Sequence, residues 1–247
     1  MTQSDLTLPP LLTPMGFSAE ADLPSETLYR ARRGRLDPGT VCYSERPDQL
    51  DAILVLAPEM PLQQAIQVIY PMNLAGNDAL GAIMPPGVGV HMAWPDRFLV
   101  NGALAGGVAL FTEQQDLSAV PDWMLARIRI DIMGAPHDPD PGRRVDRTSL
   151  YEEGAGEASA PALLQAYCRH FMSWLDRWQR GGMSAVATAW LDRAAGRESD
   201  QTFPAEDRPV SGRVTGLSES GDLTLKVGED TCSLPLSGVL HGPSWEL

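Results

Sequence analysis

The sequence predicts an α+β fold, a mixed β-sheet flanked by helices and followed by a small β module. Three observations carry that prediction. Short apolar or β-branched runs at 40–43, 52–56, 88–92, 98–100, 105–111 and 124–132 are bounded by turn residues and read as strands. Segments of helical spacing lie between and after them, the clearest at 161–180. After a polar stretch at 196–209, read as a linker, the texture changes to short strands at 212–217, 223–227 and 231–236. The expected division is therefore 1–200 for the mixed domain and 201–247 for the β module.

Taken in order, residues 1–22 contain Pro9, Pro10 and Pro14 and read as an irregular arm. A short helix follows, with Ser25 as its N-cap and Gly34 near its end. Asp37-Pro38-Gly39 is a turn into the strand at 40–43. The continuous apolar run at 52–56 reads as a buried central strand ended by Pro58. Leu62, Ile66, Ile69 and Leu74 give 61–82 a helical pattern, and Pro71 inside it predicts a kink or two helical pieces. Pro85-Pro86-Gly87 stops that pattern before the strand at 88–92. Asn101-Gly102 tolerates the positive φ angles of a tight turn, so 98–111 reads as a hairpin. Residues 134–159 are rich in Pro, Gly, Asp and Glu and read as loop. Leu163, Leu164, Tyr167, Phe171, Trp174, Leu175 and Trp178 form one wide apolar helical face, closed by Gly181-Gly182. A second helix is expected at about 184–195, with Val186, Trp190 and Leu191 apolar.

Composition narrows the function classes. With 43% hydrophobic residues over 247 positions, the chain is long enough to bury a sizeable core. A formal net charge of −13 repels a phosphate backbone, so no nucleic-acid partner is expected. No apolar run approaches the roughly 18–20 residues of a membrane helix, so no membrane partner is expected either. The start, Met1-Thr2-Gln3-Ser4-Asp5, lacks the basic residues of a signal peptide, and a cytoplasmic location is expected. Cys42, Cys168 and Cys232 are too dispersed for a zinc site or a disulfide framework, and no metal site is expected.

Two short segments carry more specific information. Ala93-Trp94-Pro95-Asp96-Arg97 follows a strand, and Asn101-Gly102-Ala103-Leu104-Ala105-Gly106-Gly107 forms the turn and start of the next hairpin arm. Together with the order of elements, they resemble the biotin/lipoate protein ligase family. In that family a Lys-Trp-Pro-Asn-Asp motif precedes a hairpin ending in Lys-Leu-Ala-Gly. Trp94, Pro95, Leu104, Ala105 and Gly106 match it. Asp96 stands for the Asn, Arg97 for the Asp, and Ala93 and Ala103 stand where the lysines would be. Gly216, Gly221-Asp222-Leu223 and Ser237-Gly238-Val239 are similar to the family's C-terminal SH3-like β-barrel module, and the resemblance covers about residues 22–240.

The resemblance implies a ligase-type catalytic domain and a two-step chemistry. A carboxylic acid, biotin or lipoate, is activated by ATP as an acyl-adenylate, which a carrier-domain lysine then attacks. ATP and biotin or lipoate are thus the implied cofactors and substrates, and a biotinyl or lipoyl carrier domain the implied partner. Pocket-lining positions implied by the motifs are Trp94, Pro95, Asp96, Arg97, Asn101, Gly102, Leu104, Ala105, Gly106 and Gly107. No catalytic residue is assigned, because the lysines are absent. The family's Gly/Arg-rich loop is also replaced by the shorter, net acidic stretch 44–51. One preorganised donor contributes about 3–4 kcal/mol to a transition state, so two readings stay open. One is acyl transfer through an altered site. The other is an inactive pseudo-ligase that binds a small acid, an acyl-adenylate or a carrier protein.

Other groups have simpler readings. Arg30, Arg32, Arg33 and Arg35 suit a solvated helix end, where cations complement the dipole. Arg97 points either into the pocket or to surface acids. His91 reads as a core or edge histidine, His137-Asp138-Pro139-Asp140 as a solvated turn without a further ligand, and Glu152-Glu153 as a solvated face. Cys168 and His170, two apart on one helix, point in different directions.

Overall fold

The computed structural model describes residues 6–134, 145–204 and 208–245. A sheet of seven strands dominates it, in the order β1-β2-β3-β7-β6-β5-β4. These are β1 (Thr13–Phe17), β2 (Thr40–Ser44), β3 (Gln49–Leu56), β4 (Val90–Ala93), β5 (Arg97–Val100), β6 (Ala103–Phe111) and β7 (Met124–Asp131). Only β1 and β2 run parallel; every other pairing is antiparallel. The fold is therefore a mixed α+β sheet, as expected.

Alternation along the strands separates two faces. Leu50, Ala52 and Leu54 of β3, with Ala126, Ile128 and Ile130 of β7, join the main core under the helices. Those helices are α2 (Leu62–Ala65), α3 (Ile69–Gly81), α4 (Ala160–Gly181) and α5 (Ser184–Leu191). On α4, Leu163, Leu164, Tyr167, Phe171, Trp174 and Trp178 are all buried, each contributing about 1.5–3 kcal/mol. The other face carries a smaller cluster, where Leu23 and Ala31 of α1 (Leu23–Ala31) pack on Cys42, Ile53, Val55 and Leu125.

Several boundaries differ from the sequence reading, each for a tertiary reason. Residues 13–17, expected to be irregular, form β1; Pro14 is tolerated because β1 is an edge strand. Asp22, not Ser25, caps α1, its carboxylate accepting from the Ser25 amide and hydroxyl. β3 begins at the polar Gln49, earlier than its apolar run, because Gln49 and Asp51 face away from the main core. The break in 61–82 is a 3-10 turn, Ile66–Val68, and Pro71 sits in the first turn of α3, where no intrahelical donor is required. β4 starts two residues late, at Val90. The helix α5 ends at Leu191 rather than 195, because the backbone of 193–195 pairs with Met92 on β4.

A second sheet has the order β11-β10-β9-β8. Its strands are β8 (Gln201–Phe203), β9 (Val210–Leu217), β10 (Leu223–Val227) and β11 (Asp230–Leu234), followed by a 3-10 turn, Leu236–His241. The expected linker thus holds a strand, since Phe203 is buried and 201–203 pairs with β9. Phe203, Val214, Leu223, Leu225 and Leu236 join the same core as α3 and α4.

Candidate functional site

Register places a row of residues across the face of the large sheet opposite the main core. Ala93 lies opposite Arg97, Arg97 opposite Gly107, Gly107 opposite Arg129, and Arg129 opposite Asp51. At one end of this row opens a cleft of about 600 Å³, lined by residues 19–25, Ser44, Arg46, Gln49, Asp51, Phe111 and Arg127. Its deepest feature is an ion pair. Arg127 donates through Nε and Nη2 to the two oxygens of Asp51, each at 2.8 Å, and both side chains are only 6% exposed. At the rim, Arg46 makes a second forked pair with Asp48 at 3.0 and 2.6 Å. Those bonds hold the Asp48 carboxyl below its ordinary range. Only residues 45–48 separate β2 from β3 here.

The Trp-Pro-Asp segment lies at the other end of the row. The Trp94-Pro95 peptide is cis, and Asn73 of α3 donates to the Pro95 carbonyl at 2.8 Å. The Trp94 indole N–H donates to the Tyr70 hydroxyl at 3.2 Å, and its ring meets Phe203 edge-on at 6.2 Å. Tyr70, fully buried, donates in turn to the Gly221 carbonyl, so the motif is wired to the turn before β10. Burial pushes the Tyr70 hydroxyl far up from its ordinary value. Tyr70→Phe leaves the buried Gly221 carbonyl without its donor and takes the acceptor from the half-buried indole N–H, and is expected to cost about 1–3 kcal/mol. Urea denaturation measures it, and a loss within error of zero would show the relay to be incidental.

Asp96 and Arg97 converge on one segment. Asp96 is 2% exposed, and its carboxylate accepts from the Ser244 amide at 2.8 Å and from the Ser244 hydroxyl. Arg97 donates through Nε to Ser244 Oγ at 2.8 Å and through Nη2 to the Ser244 carbonyl. Arg97 is thus held by Ser244, on the row shared with Ala93 and Gly107. Next to Ser244, the Trp245 ring packs against Gly107, where any Cβ would overlap it. Its indole N–H donates to the Val108 carbonyl at 2.7 Å, Arg147 donates to its carbonyl at 3.0 Å, and the Arg127 guanidinium stands 5.5 Å from its ring.

Burial pushes the Asp96 carboxyl up from its ordinary value, against the pull of the Ser244 bonds and the Arg97 charge. A carboxyl raised in the folded state binds its proton more tightly there than in the unfolded chain. Stability therefore falls as pH rises between the unfolded and the folded pKa. Asp96→Asn is expected to be more stable than the parent near neutrality, with the difference closing as pH is lowered through the carboxyl range. Denaturation curves at the two ends of that range check the sign, and an Asn variant weaker at both overturns it.

The remaining motif residues are spread along the hairpin. Asn101 (φ 49°) and Gly102 (φ 88°) form its turn, and Asn101 bonds Gly89 and Glu153. The Leu104 backbone pairs with residues 146 and 148, and Ala105 is buried in the main core. Ala103 opens β6 opposite Val100. His91 is exposed on β4.

The other groups fall away from the row. Arg30 and Arg32 pair with Glu26 and Glu113 on the surface. Glu152 is exposed and Glu153 half-buried, and from that surface they accept from Ser149 and Thr148 and tie down the loop there. Cys42 and Cys168 are buried, and burial raises both thiols, Cys168 to about 12. The His137-Asp138-Pro139-Asp140 stretch lies outside the described residues. Asp51, Arg127, Tyr70, Asn73, Ser244 and Trp245 escaped the sequence reading. Their partners lie 22 to 151 positions away, and no local pattern marks them.

This architecture, a mixed sheet with four helices on one face, α1 on the other and a Trp-Pro-Asp loop at its far edge, is that of the biotin and lipoate ligases. The model of the biotin/lipoate A/B protein ligase family matches residues 8–192, and the chain belongs to that family. Among particular relatives, a biotin protein ligase-like protein of unknown function from Silicibacter sp. TM1040 is 31% identical. Its structure superposes with a TM-score of 0.83 over 95% of this chain and 99% of that one. The biotin protein ligase of Aquifex aeolicus shares the fold at 17% identity, with a TM-score of 0.72 over 92% and 96% of the two chains. A biotin–[acetyl-CoA-carboxylase] ligase of Paracoccus denitrificans is 25% identical over 191 residues, 76% of this chain and 78% of that one. No helix among the described residues is long and apolar enough to cross a membrane.

Proposed function

We propose that this chain is a small-acid-binding member of its family, with a ligase site altered so that an acid is held but not activated. The distribution of charge carries this reading. Ala93 leaves the site face without a lysine, Ala103 leaves the start of β6 without one, and Lys226, on β10, is the sole lysine of the chain. Arg46 and Arg129 are each bonded to carboxylates of the chain itself. Acid activation by ATP needs fixed positive charge aimed at the non-bridging phosphate oxygens. The cleft carries Glu20, Asp22 and Asp51 against Arg46 and Arg127, so its donor set does not fit a polyphosphate.

A neutral head group fits the cleft better. The Ser44 hydroxyl, the Gln49 amide, the backbone of 19–25 and the Phe111 ring offer hydrogen bonds and an apolar wall. The acid's carboxylate then points along the row towards Arg97. In this reading Asp96, Arg97, Gly106 and Gly107 are the floor of the site and Trp94 and Pro95 its rim. Asn101, Gly102, Leu104 and Ala105 form the hairpin behind it. The second sheet is read as an SH3-like module beginning near residue 201, and a biotinyl or lipoyl carrier domain is the macromolecular partner to test.

A thermal-shift panel of biotin, lipoate, octanoate and ATP tests the proposal. One acid is expected to stabilise the chain by about 2.7 kcal/mol at a hundredfold excess over its Kd, with no effect of ATP and no pyrophosphate release. Detectable acyl-adenylate overturns it. A second reading, acyl transfer through an altered site, is favoured by one observation: Arg97 stands directly across from Ala93, bringing a guanidinium beside the position of the missing lysine. That reading requires ATP-dependent transfer of a mass-tagged acid to a carrier-domain lysine, abolished in Arg97→Ala.

A further inference from the structure

We propose that the segment 242–245 is a tethered occupant of the site, seated where the carboxylate end of an acid ligand goes, and that ligand entry requires its release. The inference rests on the acid-binding reading above and adds its regulation. Four observations support it.

The segment presents ligand-like groups to the sheet face. Ser244 offers its amide and hydroxyl to Asp96, and its hydroxyl and carbonyl oxygens to Arg97. Arg147 takes the Trp245 carbonyl. An acid's carboxylate oxygens would ask the same of Arg97, so Ser244 and the acid compete for one guanidinium.

The seat depends on bare backbone at Gly107. Gly107 has no Cβ, and a side chain there would collide with the Trp245 ring and the Asp96 carbonyl. Three groups held by the sheet, Val108 O, Arg97 and Asp96, fix an occupant that joins them through two adjacent residues only.

The seat is continuous with the cleft. Arg127 lines the cleft through its pair with Asp51 and also faces the Trp245 ring. A ligand with its head in the cleft and its carboxylate extended along the row meets Trp245 next.

The segment has a joint. Gly242, at φ 111°, connects it to the 3-10 turn Leu236–His241, with nothing packed within 4 Å of where a Cβ would be. Rotation there moves Ser244 and Trp245 without unpacking the buried Leu236 and Val239.

The test follows Trp245 in the full chain. The protein is labelled with 5-fluorotryptophan, the Trp245 resonance is assigned with Trp245→Phe, and biotin, lipoate and octanoate are added in turn, each beside its methyl ester. The acid that binds is expected to shift the Trp245 resonance towards the solvent-exposed position in step with saturation, whereas its ester, lacking the carboxylate, leaves it in place. In parallel, a chain ending at His241 and the full-length Trp245→Gly variant are titrated with the same acids. If the segment covers the seat in nine molecules of ten or more, its loss tightens acid binding by about tenfold or more. Should the shortened chain fail to fold, Trp245→Gly and the fluorine spectra carry the result. An acid that saturates the full chain with the Trp245 resonance unmoved overturns this inference and leaves the acid-binding reading intact. Binding only after the segment is removed supports both. No binding by any of the three chains overturns both.

Discussion

Asp51→Ala is expected to destabilise the chain by about 3–5 kcal/mol, because it removes one partner of a buried ion pair and both of the bonds that Asp51 takes from Arg127. The size follows from burial. A surface pair of the same chemistry contributes about 0–1 kcal/mol, since water solvates each partner once the other is gone. Here both side chains are 6% exposed and joined by two parallel bonds of 2.8 Å, so water cannot take over. At roughly 2–4 °C per kcal/mol for a chain of this size, the melting temperature should fall by about 6–20 °C. Asp51→Leu combined with Arg127→Met is expected to recover most of the loss, because it removes both desolvated charges together. Equilibrium urea denaturation of the three variants measures this. A single-variant loss below about 1 kcal/mol would mean that the pair behaves as an exposed one. Either outcome bears on the cleft, since the same two residues form its inner wall.

Gly106→Ala is expected to cost about 2–6 kcal/mol, the sum of backbone strain and overpacking. Gly106 has φ 154°, and a Cβ there would overlap the Arg129 carbonyl oxygen and stand 2.8 Å from Ile130 Cα. Both neighbours are backbone of the paired strand β7, so neither can rotate away. Gly216→Ala is the control: nothing lies within 4 Å of its Cβ position, and its effect should stay within about 0.5 kcal/mol. Thermal or urea melts of the two variants settle the comparison, and similar losses at both positions would remove the steric account. If the Gly106 variant folds at all, its β6 must shift against β7, which would also displace Gly107 and the seat beneath Trp245.

The contrast between these two glycines shows what a linear reading reaches. Gly106 stood out in the sequence as part of a Leu-Ala-Gly match to a family, and the geometry supplies its reason: φ and the proximity of β7. Trp245 had no such marker. It follows a 3-10 turn and a Gly-Pro pair, outside any periodic run, and only the folded chain brings it to β6, 137 positions earlier. Asp51 and Arg127 are similar. Asp51 closes the polar stretch before an apolar run, Arg127 lies in a strand that alternates charged and apolar residues, and only register places the two on one face. The edge strands β1 and β8 were missed because their hydrogen bonds, not their side chains, make them strands.

By itself the sequence determined the local elements and the lineage. The apolar stripe of 160–181, the Asn101-Gly102 turn, the central strands and the Trp-Pro-Asp and Leu-Ala-Gly segments depend on dihedral preference and on spacing within a few residues, which any short window contains. Only the tertiary structure decided which charges face one another and what fills the site. The Asp51–Arg127 pair, the Tyr70 relay to Gly221 and the hold of Ser244 and Trp245 on Asp96, Arg97 and Gly107 join residues 76 to 151 positions apart. Such contacts arise when burial forces distant polar groups to find partners away from water, a condition that no stretch of sequence states.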